Sequence, residues 1–208
     1  MCNSFFLRFA CVVLLSGSAL AAQVATAPPG PATTAAKVNR RRPRHEVDLS
    51  LTYDAFRQNG TPGPSFWQSG GSVDLNAQIH RGLGAEVLFT AATAKNANNS
   101  GVDVNTMNVV FGPRYTFTYN KKAAVFGDVL FGETHGFHGV YPSTSGATSS
   151  ANSFALMAGG GMDVRLAPHV AIRLVEVRWL RSQLPNATTN VQNGVQIGAG
   201  VTFRFGTK

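Results

Sequence analysis

From Glu46 onward, apolar and polar residues alternate with a period of two in segments about ten residues long, as in strands with one apolar and one polar face. The first segment sets Val47, Leu49, Leu51, Tyr53 and Ala55 against Asp48, Ser50, Thr52 and Asp54. The second sets Val73, Leu75, Ala77 and Ile79 against Ser72, Asp74, Asn76, Gln78 and His80, and the third Leu83, Ala85, Val87, Phe89 and Ala91 against Gly84, Glu86, Leu88 and Thr90. In the fourth, Met107, Val109, Phe111, Pro113, Tyr115 and Phe117 oppose Asn108, Val110, Gly112, Arg114 and Thr116, and Pro113 predicts a bulge or a break in pairing because it has no N–H to donate.

The fifth segment is noisier, with Val125, Gly127, Val129 and Phe131 against Phe126, Asp128 and Leu130. The sixth sets the alternate residues Phe154 to Leu166 against Ala155, Met157, Gly159, Gly161, Asp163 and Arg165, and the eighth Val195 to Phe205 against Gln196, Gly198, Gly200, Thr202 and Arg204. The seventh, His169 to Arg181, fits no single frame. Val170, Ile172 and Leu174 claim the apolar face, and so do Val175, Val177 and Trp179, which a bulge near Arg173 or Leu174 reconciles.

Eight strands follow, and their connections fall into two sets. His80-Arg81-Gly82, Tyr119-Asn120-Lys121-Lys122 and Ala167-Pro168-His169 are short, whereas Arg57 to Phe66, Ala92 to Asp103, Glu133 to Asn152 and Ser182 to Val191 are long and polar. Short turns at one end and long loops at the other mark an outer-membrane barrel. The predicted fold is therefore all-β, a closed antiparallel eight-stranded up-and-down membrane barrel over residues 46–206, with both ends on the short-turn, periplasmic side.

The polar set fixes which face points inward. Asp48, Asp74, Glu86, Arg114, Asp128, Asp163, Arg165 and Arg204 mix both signs and can pair in a narrow lumen, as a structural polar network. The opposing set is almost free of charge, as hydrocarbon requires. A soluble, lipocalin-like ligand carrier would have the faces reversed. Aromatic residues such as Tyr53, Phe66, Trp67, Tyr115, Phe117, Trp179, Phe203 and Phe205 suit interfacial girdles, or serve simply as good strand formers.

The first 45 residues read differently. Arg8, the apolar run Phe9 to Leu15 and the closing Ala19-Leu20-Ala21 have the order of a secretory signal, over residues 1–21. Both cysteines, Cys2 and Cys11, fall inside it, so a processed chain carries no disulfide or thiolate site. Residues 22–45 are an Ala/Pro/Thr linker ending in Asn39-Arg40-Arg41-Arg42-Pro43-Arg44, which lacks the apolar residues to build a core. This run holds much of the net charge of +8 and suits lipid headgroups or solvent better than nucleic acid.

With these features the chain resembles the small outer-membrane β-barrel superfamily, of the OmpA transmembrane-domain and opacity-protein type. The resemblance rests on the alternation, on Val109-Val110-Phe111-Gly112-Pro113-Arg114-Tyr115, on Gly159-Gly160-Gly161-Met162-Asp163 and on Gly198-Ala199-Gly200-Val201-Thr202-Phe203-Arg204-Phe205. Such barrels often end on an aromatic residue, whereas Gly206-Thr207-Lys208 follow Phe205 here.

No constellation argues for catalysis. His135-Gly136-Phe137-His138 beside Glu133 has metal-ligand residue types, but in a polar loop this spacing suits solvated side chains better. No histidine shares a strand face with a serine or acid at catalytic spacing, and the Gly159–Gly161 run sits in a strand rather than a phosphate loop. The expectation is a non-enzymatic outer-membrane protein of a Gram-negative bacterium, without cofactor or metal. It reaches the membrane through the periplasm, contacts lipid, binds no nucleic acid, favours a monomer and acts through four long surface loops. A narrow porin-like channel is the alternative, and it needs a water path past the lumen charges. An enzyme acting on lipid or peptide from a rim site at His135 or His138 is the remoter one.

Overall fold

The computed structural model describes residues 46–59, 64–97, 101–118, 122–143, 146–186 and 189–206. The signal and linker readings, and most of the turn expected at Tyr119–Lys122, lie outside those residues. Eight antiparallel strands follow in chain order: β1 (Glu46–Gln58), β2 (Phe66–His80), β3 (Leu83–Ala94), β4 (Val104–Thr118), β5 (Ala123–Ser143), β6 (Gly146–Ala167), β7 (Val170–Ser182) and β8 (Gln192–Gly206). Each pairs with the next, and β1 pairs with β8 from Glu46↔Gly206 to Gln58↔Gly194, which closes the barrel and leaves no free edge along the ring.

The alternation fixes the facing as expected. In β1, Asp48, Ser50, Thr52 and Asp54 are buried in the lumen while Leu51 and Tyr53 lie on the outside, Tyr53 at 70% exposure. In β5, Phe126, Asp128 and Leu130 point inward, and Val125, Val129 and Phe131 outward. The outer wall is thus a continuous apolar surface carrying Leu75, Val87, Phe111, Tyr115, Phe117, Val177, Ile197 and Phe205, and this facing is the reverse of a soluble ligand carrier's.

Local irregularities sit where the chemistry of the chain puts them. Pro113 pairs with Ala85 of β3, but the β4–β5 ladder skips from Phe111↔Phe131 to Arg114↔Asp128 without changing register, so the proline makes a break rather than a bulge. In β7, Leu174 and Val175 both point outward, and the ladder to β8 shifts between Arg173 and Glu176. This is the bulge that lets both apolar triplets face out. The β2–β3 turn is a two-residue one with positive φ at Arg81 (43°) and Gly82 (91°), the handedness that matches strand twist. A Cβ on Gly82 would also meet the Thr116 carbonyl oxygen at 2.5 Å.

One long connection departs from expectation. The segment from Glu133 to Asn152 is not a loop but the far half of a hairpin, since β5 and β6 stay paired as far as Ser143↔Gly146. The β4 partner ends at Phe137, and the β7 partner at Ala155. From there the two strands pair only with each other among the described residues. This stretch is Ser- and Thr-rich with no lipid-facing set, so its alternation is invisible as an amphipathic pattern. It is pinned internally by Tyr141, which is buried and covers Gly136 and Gly139, with its ring 2.9 Å from where a Gly139 Cβ would stand.

Candidate functional site: a charged plug in the lumen

The inward faces of β2 to β8 deliver a layer of ionised side chains to the barrel interior. Three arginines, Arg114 from β4 and Arg173 and Arg178 from β7, are essentially inaccessible and rank among the largest fully buried side chains. Arg114 faces Asp74 at 3.4 Å, Glu86 at 3.6 Å and Asp163 at 3.6 Å. Arg173 pairs with Asp74, with Asp163 at 3.0 Å and with Glu176 at 2.8 Å, and its Nη2 donates to Ser50 Oγ at 2.8 Å. Arg178 reaches Glu86 at 2.9 Å, Asp128 at 3.2 Å and Glu176 at 2.6 Å.

These contacts form a single network, because each carboxylate but Asp128 meets two of the three guanidiniums. Asp74 and Asp163 bridge Arg114 and Arg173, Glu86 bridges Arg114 and Arg178, and Glu176 bridges Arg173 and Arg178. At its centre stands the Phe126 ring, with the guanidinium carbons of Arg114, Arg173 and Arg178 at 3.6, 4.5 and 6.0 Å from its centroid. A desolvated guanidinium over an aromatic face is favourable by up to about 2 kcal/mol. Gly161 makes the room, since a Cβ there would fall 2.8 Å from Phe126 Cζ.

Arg204, partly exposed, extends the network toward the short-turn end through Asp48 at 3.7 Å and Asp163 at 3.9 Å. Toward the long-loop end the lumen divides. Leu88, Val110, Leu130, Ala155, Met157 and Leu180 from β3 to β7 form an apolar cluster. The β8–β1–β2 side is polar, with Gln196, Gln58, Gln68, Thr52 and Ser72 buried, and Ser72 bonded to Thr52 at 3.0 Å. At the level of the arginines the interior is occupied by side chains, so a solute would have to displace them.

The structure places seven of the eight residues expected in the lumen inside it: Asp48, Asp74, Glu86, Arg114, Asp128, Asp163 and Arg204. Arg165 is the correction. It is exposed, because it lies next to the Pro168–His169 turn, where the β6–β7 register slips between Arg165 and Ala167 and the lumen opens to solvent. Arg173, Glu176 and Arg178, the centre of the network, were not among the expected residues. Their signal was the double frame of the seventh segment: once a bulge turns Leu174 and Val175 both outward, these three must face in.

The histidine cluster lies on β5 rather than in a loop. His135 stacks on Phe137 at 5.7 Å, and Phe137 meets His138 edge-on at 5.4 Å. His138 Nδ1 is 2.8 Å from Asn105 Nδ2, and His135 contacts Asn152. Among the described residues no group of three or more His, Cys, Asp or Glu is placed to hold a metal.

Comparison with solved structures fits this geometry. The crystal structure of the Neisserial surface protein NspA is similar over 76% of this chain and 97% of its own, with a TM-score of 0.62 and 16% identity. The chain has the fold of the small eight-stranded outer-membrane β-barrels. Ail, the attachment invasion locus protein of Yersinia pestis, crystallised with the heparin analogue sucrose octasulfate, is similar over 77% of this chain and 99% of its own, with a TM-score of 0.53 and 18% identity. No protein-family model and no curated protein matches the chain. Both solved chains are matched over nearly their whole length.

Proposed function

We propose that this chain is an outer-membrane barrel that displays the β5–β6 hairpin at the cell surface as a recognition element, without catalysis of its own. The observation that carries the reading is the hairpin's extent: beyond Phe137 and before Asn152 the two strands leave the ring, and after a register shift between Phe137 and Tyr141 their only ladder partners among the described residues are each other. A two-stranded ribbon is marginal alone in water. This one is braced by the barrel at its base and by Tyr141 along its length, which holds a shape rather than a floppy loop. Its exposed Thr148, Ser149 and Ser150, with His138 and Arg181 near the rim, offer hydrogen-bonding groups and a guanidinium to a polar or anionic ligand.

The filled lumen supports display over conduction, and the apolar outer wall supports lipid as the surrounding medium. Ail's complex with a heparin analogue makes sulfated polysaccharide the first ligand class to try. The test replaces residues 144–145 with an epitope tag in the full chain and stains intact cells. Staining without permeabilisation, together with heparin or matrix binding that falls when residues 138–152 are cut back to a tight turn, is the expected result. Staining only after permeabilisation would overturn the orientation, and unchanged binding in the shortened variant would remove the hairpin from the role.

A further inference from the structure

We infer that the lumen holds a small hard cation at Asp54. Among the described residues seven carboxylates are buried in the barrel, those of Asp48, Asp54, Asp74, Glu86, Asp128, Asp163 and Glu176, and they face four guanidiniums, of Arg114, Arg173, Arg178 and the partly exposed Arg204. Six of the seven have an arginine within ion-pair distance. Asp54 is the exception: it is wholly inaccessible, and neither of its carboxylate oxygens meets a donor. An isolated carboxylate in so enclosed a place is costly unless a positive charge joins it.

The surroundings supply further oxygen rather than hydrogen-bond donors. Asp54 pairs across the β1–β8 ladder with Gly198, which itself pairs with Glu176 of β7. A Cβ on Gly198 would strike Asp54 Oδ1 and lie 3.2 Å from Glu176 Cγ, so the glycine is what lets the two acidic side chains approach. The next inward residue on β8 is Gln196, also wholly buried. Its Nε2 donates to Glu176 Oε1 at 3.1 Å, and its carbonyl Oε1 has no partner.

Two carboxylate oxygens and an amide oxygen, all unpartnered, with a second carboxylate beside them, make a set that suits a hard cation completed by water. The nearby arginines, Arg173 and Arg178, are already paired with Glu176 and with other carboxylates, and neither reaches Asp54. On the long-loop side of Asp54 the inward positions of the same wall are Phe56, Gln58 and Gln68, so an ion from that end passes the buried Phe56 ring beside two amides.

The test uses the full-length barrel, freed of its signal segment, refolded in detergent without lipopolysaccharide and treated with a chelator. Thermal unfolding is followed by circular dichroism as calcium or magnesium is added, and in sodium against choline at equal ionic strength. Equilibrium dialysis counts bound calcium. The expected result is a saturable rise of the midpoint with at least one of these cations, lost in Asp54→Asn, weakened in Gln196→Leu and retained in Asp48→Asn, whose carboxylate has Arg204. If Asp54→Asn fails to fold, the contrast between Gln196→Leu and the parent carries the test. A parent barrel indifferent to every cation would overturn the site, as would a response that persists in Asp54→Asn and Gln196→Leu.

Discussion

Arg114 sits over the ring of Phe126, its guanidinium carbon 3.6 Å from the centroid, while the same guanidinium faces three carboxylates. The ring fills the centre of the charge network without competing for its hydrogen bonds, and it keeps three like charges apart. Replacing Phe126 with Ala should therefore cost more than an ordinary core truncation, which is about 3–5 kcal/mol for this change. Phe126→Leu should cost distinctly less. Urea unfolding of the refolded barrel in lipid vesicles measures both, and equal losses would mean that the ring acts by bulk alone.

Arg178→Ala strands Asp128 and takes one of the two guanidiniums from both Glu86 and Glu176, and should destabilise by roughly 3–5 kcal/mol, the usual result of stranding buried charge. Arg165→Ala, at the exposed mouth, should stay within about 0.5 kcal/mol. The same unfolding assay compares them, and similar costs would contradict the exclusion of Arg165 from the network.

Gly161→Val puts a branched side chain where the Phe126 ring lies. The barrel should lose its heat-modifiable band on an unboiled gel or unfold at markedly lower denaturant. In a Phe126→Ala background the same substitution should cost less than it does alone, because only the Val175 carbonyl oxygen, 2.6 Å from the added Cβ, then stands in the way. Additive losses would show that Gly161 is needed for some other reason.

Tyr141, on the hairpin beyond the ring, has its phenol pushed above the ordinary 10.0 by burial. The neutral form is the one that packs, so its contribution is complete below about pH 10 and is lost as pH rises through the folded-state value. NMR of ring-labelled tyrosine, assigned with Tyr141→Phe, should show this residue ionising above pH 10 and the hairpin amides exchanging faster as it does. Titration at the ordinary value would place the side chain in water.

The facing of nearly every strand was legible because a membrane barrel writes it twice, with apolar residues out and polar residues in, and a one-residue error would turn every side chain over. Pro113 was legible as a broken ladder for an equally local reason. The centre of the network was harder, since Arg173, Glu176 and Arg178 sit on either side of a bulge that scrambles the period, and the frame has to be repaired before they point anywhere. The alternation puts Asp54 on the polar face, but its lack of a partner depends on lateral neighbours across β8 and β7, which periodicity within one strand does not carry. The far half of the β5–β6 hairpin carries no apolar alternation that would mark it as a strand pair. Its Ser/Thr content is what a loop would also show.

Because β1 and β8 lie side by side from Glu46↔Gly206 onward, the barrel has no first or last strand except by covalent accident. A gene rewired to join residue 206 to residue 46 by a short linker, and opened instead at the Arg81–Gly82 turn, would encode the same ladder in a different order. For an assembly machinery that handles strands as they arrive, such a permuted chain separates what the sheet requires from what the direction of delivery requires.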